Sequence, residues 1–103
     1  MEIIFFNNRC QKFFESLEAS IRPRAGRTFE LLEQYGHALG MPHSKALGGG
    51  LFELRIIGKV SVRFAYAFYA GRIWMLHGFV KKTSGTPKQD IEYAKIQLKA
   101  LLH

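Results

Sequence analysis

The stretch Leu51 to Thr83, LFELRIIGKVSVRFAYAFYAGRIWMLHGFVKKT, most constrains what this chain can fold into. It reads as three consecutive strands joined by tight turns at Gly58-Lys59 and Ala70-Gly71. Side chains alternate across a strand, so Phe52, Leu54 and Ile56 share one face while Glu53 and Arg55 share the other. In the second strand Val60, Val62, Phe64, Tyr66 and Phe68 share a face, opposite Ser61, Arg63, Ala65 and Ala67. Ile73 to Val80 is apolar on both sides, which predicts a central strand. A charge inside a strand is costly unless its face is wet or meets an anion. Arg55 and Arg63 therefore mark a working face, and the small residues beside Arg63 leave room for something to approach it. The expected partner is a phosphate chain.

Charge supports that expectation. The chain has 103 residues and a net charge of +7. Residues 43–82 hold seven cations (Lys45, Arg55, Lys59, Arg63, Arg72, Lys81 and Lys82) against one acid, Glu53. A positive field concentrated on the strands favours nucleic acid or another polyanion. The length predicts one domain spanning 1–103. With 48% hydrophobic and 14% aromatic residues, the chain can bury a core. No apolar run approaches the roughly 20 residues of a membrane helix. The start, MEIIFFNN, carries an early acid and no basic segment, unlike a secretory signal. A single cysteine, Cys10, makes no internal disulfide and suits a reducing cytoplasm. Four scattered histidines and one cysteine have no metal-ligand spacing, so no metal or other cofactor is expected.

Glu2 to Phe6 is a short apolar run and predicts a strand. Asn7 or Asn8 then caps a helix running to about Ser20, with Cys10, Phe13, Phe14, Leu17 and Ile21 on one stripe. Pro23 opens a second helix that continues through Phe29 and Leu32 to about Leu39. Gly40 with Met41-Pro42 stops it. Pro42 to Gly50 reads as a loop. Thr86-Pro87-Lys88-Gln89 is a capping-box start for a last helix, which buries Ile91, Ala94, Leu98, Leu101 and Leu102. The order is β-α-α-β-β-β-α. This predicts an α+β fold with a mainly antiparallel sheet, helices on one face and an open basic face opposite.

LFELR, VRFAY, LHGFVKKT and TPKQDIEYA together resemble the RelE/ParE toxin superfamily, and within it the phage-derived, HigB-type toxins of bacterial toxin–antitoxin modules. The likeness covers almost the whole chain and is sharpest from Leu51 to Ala94. It implies a RelE-like fold and a metal-free endoribonuclease that cuts messenger RNA, often on the translating ribosome. It also implies a cognate antitoxin, commonly a helix-turn-helix protein. By position, Arg55 and Arg63 match basic residues of the family's first two meander strands, and Lys81 and Lys82 match the pair after the last. Glu53 stands where RelE itself has a lysine. RelE's C-terminal tyrosine has no clear match, Tyr93 falling two residues late.

Metal-free RNA cleavage needs a base for the 2′-hydroxyl, cations for the charged transition state and an acid for the leaving oxygen. Arginine suits the middle role because its fork matches two phosphate oxygens. Arg55, Arg63, Lys81, Lys82 and Glu53 are the expected catalytic set, with Lys45, Lys59, His43 and Tyr93 binding substrate. Lys81 and Lys82, as neighbours, point to opposite faces if still in a strand. Glu53, His43, His77 and Tyr93 remain alternatives for the base. The simpler alternative for the arginines is an ion pair with Glu53 across adjacent strands. For His77 it is a satisfied core histidine. Two other functions remain open: a ParE-like gyrase poison that cuts no RNA, and a degenerate module that binds only antitoxin or nucleic acid.

Overall fold

The meander forms where the alternation requires it, and the remaining elements pack on it. The elements run β1 (Ile3–Phe5), α1 (Asn8–Glu15), α2 (Arg22–Tyr35), β2 (Ser44–Gly48), β3 (Leu51–Ile56), β4 (Val62–Tyr69), β5 (Arg72–Val80) and α3 (Lys88–Leu102). The structure, a computed structural model, describes residues 1–82, 84, 85 and 87–103. The sheet order is β1-β5-β4-β3-β2. β1 pairs parallel with β5, and every other pairing is antiparallel. The fold is α+β, and β5 is interior as its two apolar faces require.

Local chemistry sets the boundaries. Asn7 caps α1, its Oδ1 accepting from the Cys10 amide at 2.8 Å. The helix stops at Glu15 rather than near Ser20: the Ser16 hydroxyl donates to the Phe13 carbonyl, and the Leu17 amide tightens to the Phe14 carbonyl, three residues back. Pro23 sits in the first turn of α2, where its missing N–H costs nothing. That helix ends at Tyr35, short of Leu39, because Gly36 adopts φ +53° and one 3-10 turn follows at Gly36–Ala38. Ala70 and Gly71, at φ +53° and +74°, make the two-residue turn between β4 and β5. The turn between β3 and β4 is longer than Gly58-Lys59 suggests and occupies Ile57 to Ser61. Val60 thus leaves the strand and is exposed. Thr86, the expected cap of α3, lies outside the described residues; Gln89 falls in the first turn of that helix.

Two expectations are corrected. The segment Pro42 to Gly50 is not all loop, since Ser44–Gly48 is edge strand β2, hydrogen-bonded to β3. Its Ser44 hydroxyl shares a buried hydrogen bond with Tyr66. Gly48, Gly49 and Gly50 all have positive φ and turn the chain into β3. The helices also do not share one face. α1 and α2 cover the face of Leu54, Ile56, Val62, Phe64, Tyr66, Ile73 and Met75. α3 covers the other, its Ile91, Ala94, Leu98 and Leu101 packing on Ala65, Ala67, Trp74 and Leu76. The small residues beside Arg63 make room for a helix of the same chain. Only part of that face stays uncovered.

Candidate nucleic-acid interface

Strand register assembles the uncovered part. Arg55 lies directly opposite Arg63 on β4, and Arg63 opposite Phe79 on β5. On the other side, the Arg55 amide donates to the His43 carbonyl at 2.7 Å, which extends the β2 ladder and puts His43 across from Arg55. One row of the sheet thus reads His43, Arg55, Arg63, Phe79. The next row reads Lys45, Glu53, Ala65, His77. Lys81 donates its amide to Ser61 at 2.7 Å, one row further on the same face as Arg63.

At the centre, Glu53 Oε1 accepts from Arg55 Nε at 3.1 Å and lies 3.7 Å from Arg63 Nε. The ion pair considered as the simpler alternative is therefore present, but one carboxylate faces two guanidinium groups and leaves the trio with a net positive charge. Like charges directly opposite across a ladder repel, so Glu53 is what lets the two arginines stand together. Burial lowers the Arg63 pKa from its ordinary value; Glu53 counteracts this and Arg55 adds to it. Two buried nitrogens on this row, His43 Nδ1 and Arg63 Nε, have no hydrogen-bond partner among the described residues. Arg63 Nη1 is tethered to the Val62 carbonyl at 3.2 Å, which fixes the fork at the sheet surface.

The other expected residues are divided. Lys45 stands beside Glu53 and is exposed. Lys82 lies away from the arginines, in a cleft with Arg9 and Lys12. Lys59 is not brought to the arginine row; it lines a separate pocket with Glu18 and Arg24 under the β3–β4 turn. Tyr93 belongs to α3 and packs on His77, ring centroids 4.6 Å apart. His77 is buried, and its Nε2 meets Asp90 Oδ1 at 2.8 Å. The sequence does not single out Asp90: an acid in a helix's first turn ordinarily answers the helix dipole, and only the fold shows it meeting His77. Among the described residues, no group of three or more His, Cys, Asp or Glu could hold a metal ion. No helix among them is long and apolar enough to cross a membrane.

A family model for phage-derived Gp49-like proteins (DUF891) matches residues 12–99. A search of curated proteins gives no match. The matched span contains β2 to β5, and with them every residue of the arginine row.

Proposed function

The chain belongs to the phage-derived Gp49-like family, a family of RelE/ParE toxin type, and from that premise we propose that it is the toxin of a type II toxin–antitoxin module. Its activity is metal-independent cleavage of messenger RNA on the translating ribosome, blocked by a cognate antitoxin. The observation that carries this reading is the pair of arginines facing each other across β3 and β4, on the uncovered part of the sheet.

In this reading Arg55, Arg63 and Lys81 grip the scissile phosphate. Their charge offsets the negative charge that grows on phosphorus as the 2′-oxygen attacks. Always-charged guanidinium groups supply this without a proton change. Glu53 serves as the positioning group, because its oxygen is already shared by two guanidinium groups. His43, beside Arg55 on the same row, is the proposed carrier of a proton between the 2′-hydroxyl and the leaving 5′-oxygen; its Nδ1 is buried, so Nε2 is the nitrogen that would meet the RNA.

The test is induction in a bacterium. Wild type is expected to arrest growth and shorten messenger RNA, and Arg63→Ala to lose both by two orders of magnitude or more, on the order of one lost transition-state contact. Undiminished cleavage by Arg63→Ala would remove the arginine pair from the mechanism. Broken plasmid DNA with intact messenger RNA would replace the nuclease with a gyrase poison.

A further inference from the structure

A second basic site lies one strand from the arginine row. β1 pairs with β5 only at Ile73 to Met75, so among the described residues the rest of the outer edge of β5 has no neighbouring strand. The edge borders a cleft of about 560 Å³, walled by α1 and by the start of α3. α1 and its C-cap contribute Arg9, Lys12, Phe13 and Ser16, which share one face at three- and four-residue spacing. β5 and the segment after it contribute His77 to Val80 and Lys82.

The cleft is held open by specific contacts. Asn7 Nδ2 donates to the Leu76 carbonyl and to Gln97 Oε1, each at 3.0 Å, tying α1 to both β5 and α3. Gly78 has no side chain, and Phe13 occupies the space a Cβ would take. This brings α1 against the strand. Since Lys81 bonds toward β4, alternation turns the Gly78 and Val80 amides outward to the cleft.

Its charge is unbalanced. Arg9, Lys12 and Lys82 form no salt bridge among the described residues, and Arg9 lies 4.6 Å over the Tyr93 ring. The one acid lining the cleft, Asp90, is engaged by His77. Phe79 belongs to both places, lining the cleft and standing opposite Arg63. The two sites thus meet at Phe79, with Arg63 on the inner neighbour of β5 and the α1 cations along its outer edge.

We propose that this cleft is a second phosphate subsite, which takes the backbone of a nucleotide flanking the one held by Arg55 and Arg63. The proposal rests on the RNA-cleaving reading above. Its ligand is single-stranded RNA of several nucleotides, because only a continuous chain of phosphates reaches both places. The Gly78 and Val80 carbonyls turn outward with their amides, so the three cations supply the attraction for a sugar–phosphate backbone, which carries no base preference.

The experiment measures anisotropy of labelled, cleavage-resistant 2′-O-methyl RNA across a salt series, with a dinucleotide and an octanucleotide as probes. In Arg9→Gln/Lys12→Gln the octanucleotide is expected to bind about tenfold more weakly. Its log–log salt slope should shrink by roughly 1.4, two lost contacts at about 0.7 each on a single strand. The dinucleotide should be unaffected, and Arg63→Ala should weaken both probes. Lys12→Glu, which keeps the Arg9–Tyr93 contact, is expected to show the same length-dependent loss; both α1 side chains are exposed, so the fold should persist. If both variants bind the octanucleotide like wild type, the subsite is wrong and the arginine reading stands. If wild type binds no octanucleotide, the subsite falls, and the arginine reading is decided by the induction experiment alone.

Discussion

One carboxylate, Glu53, sits between two guanidinium groups and is itself nearly buried. Its removal leaves Arg55 and Arg63 opposed with no counter-charge. Glu53→Gln is expected to lower stability by about 1–3 kcal/mol, below the cost of breaking a fully buried pair because both arginines keep some solvent. The same variant is expected to gain more from sulfate than wild type does, since an added anion can take the vacated place. Thermal melts in chloride and in sulfate check this, and equal gains would argue against an anion site. Apolar alternation within each strand points to Arg55 and Arg63 on one face. The turn read at Gly58-Lys59 does not agree with it, because a one-residue slip in register would send Arg63 to the opposite face. A two-residue turn at Gly58-Lys59 would pair Ile57 with Val60 and set Arg55 against Val62. The longer Ile57-to-Ser61 connection sets it against Arg63. Turn length, which the sequence leaves open, decides the geometry of the site.

At the scale of elements, helix α1 is seated by an absence. A methyl group at Gly78 would stand 2.8 Å from Phe64 Cε1 and closer still to the Phe13 ring. Gly78→Ala should therefore cost at least the roughly 1–3 kcal/mol of an overpacked core, as read by urea denaturation. Phe13→Leu in the same chain should recover part of it, because the two positions touch and their effects couple. Asn7 and Pro23 announced the two helix starts because caps and first-turn prolines act locally. β2 gave no such notice. Ser44–Gly48 has four side chains and then a glycine run, and it becomes a strand through its ladder with β3 rather than through preference. The position of α3 was hidden for a related reason. Ala65 and Ala67 signal a close approach to the sheet, but not whether the visitor is a ligand or the chain's own helix.

Over the whole molecule, two layers of helix enclose one sheet, and Cys10 lies in the larger core at 1% exposure. Burial pushes its thiol from 9.0 up to about 12. The folded state thus disfavours the thiolate, and the contribution of Cys10 to stability should be constant below about pH 9 and fall as pH climbs towards 12. A Cys10→Ala variant should lose part of that alkaline decline, the rest persisting because burial also raises the Tyr66 phenol. At neutral pH, labelling by a thiol reagent should track global unfolding, rising with urea in step with circular dichroism. Labelling of most molecules without denaturant would contradict the packing of α1 on the sheet.

The parallel ladder between Ile3–Phe5 and Ile73–Met75 also orders events in time. Hairpins from Ser44 onward can zip between sequence neighbours, whereas β1 has nothing to join until the segment around Ile73 has been synthesised. During translation the earliest-made strand is therefore among the last to be seated, and Phe5 stays wet until it is. Closing that distant pair is the step that chain topology makes slow.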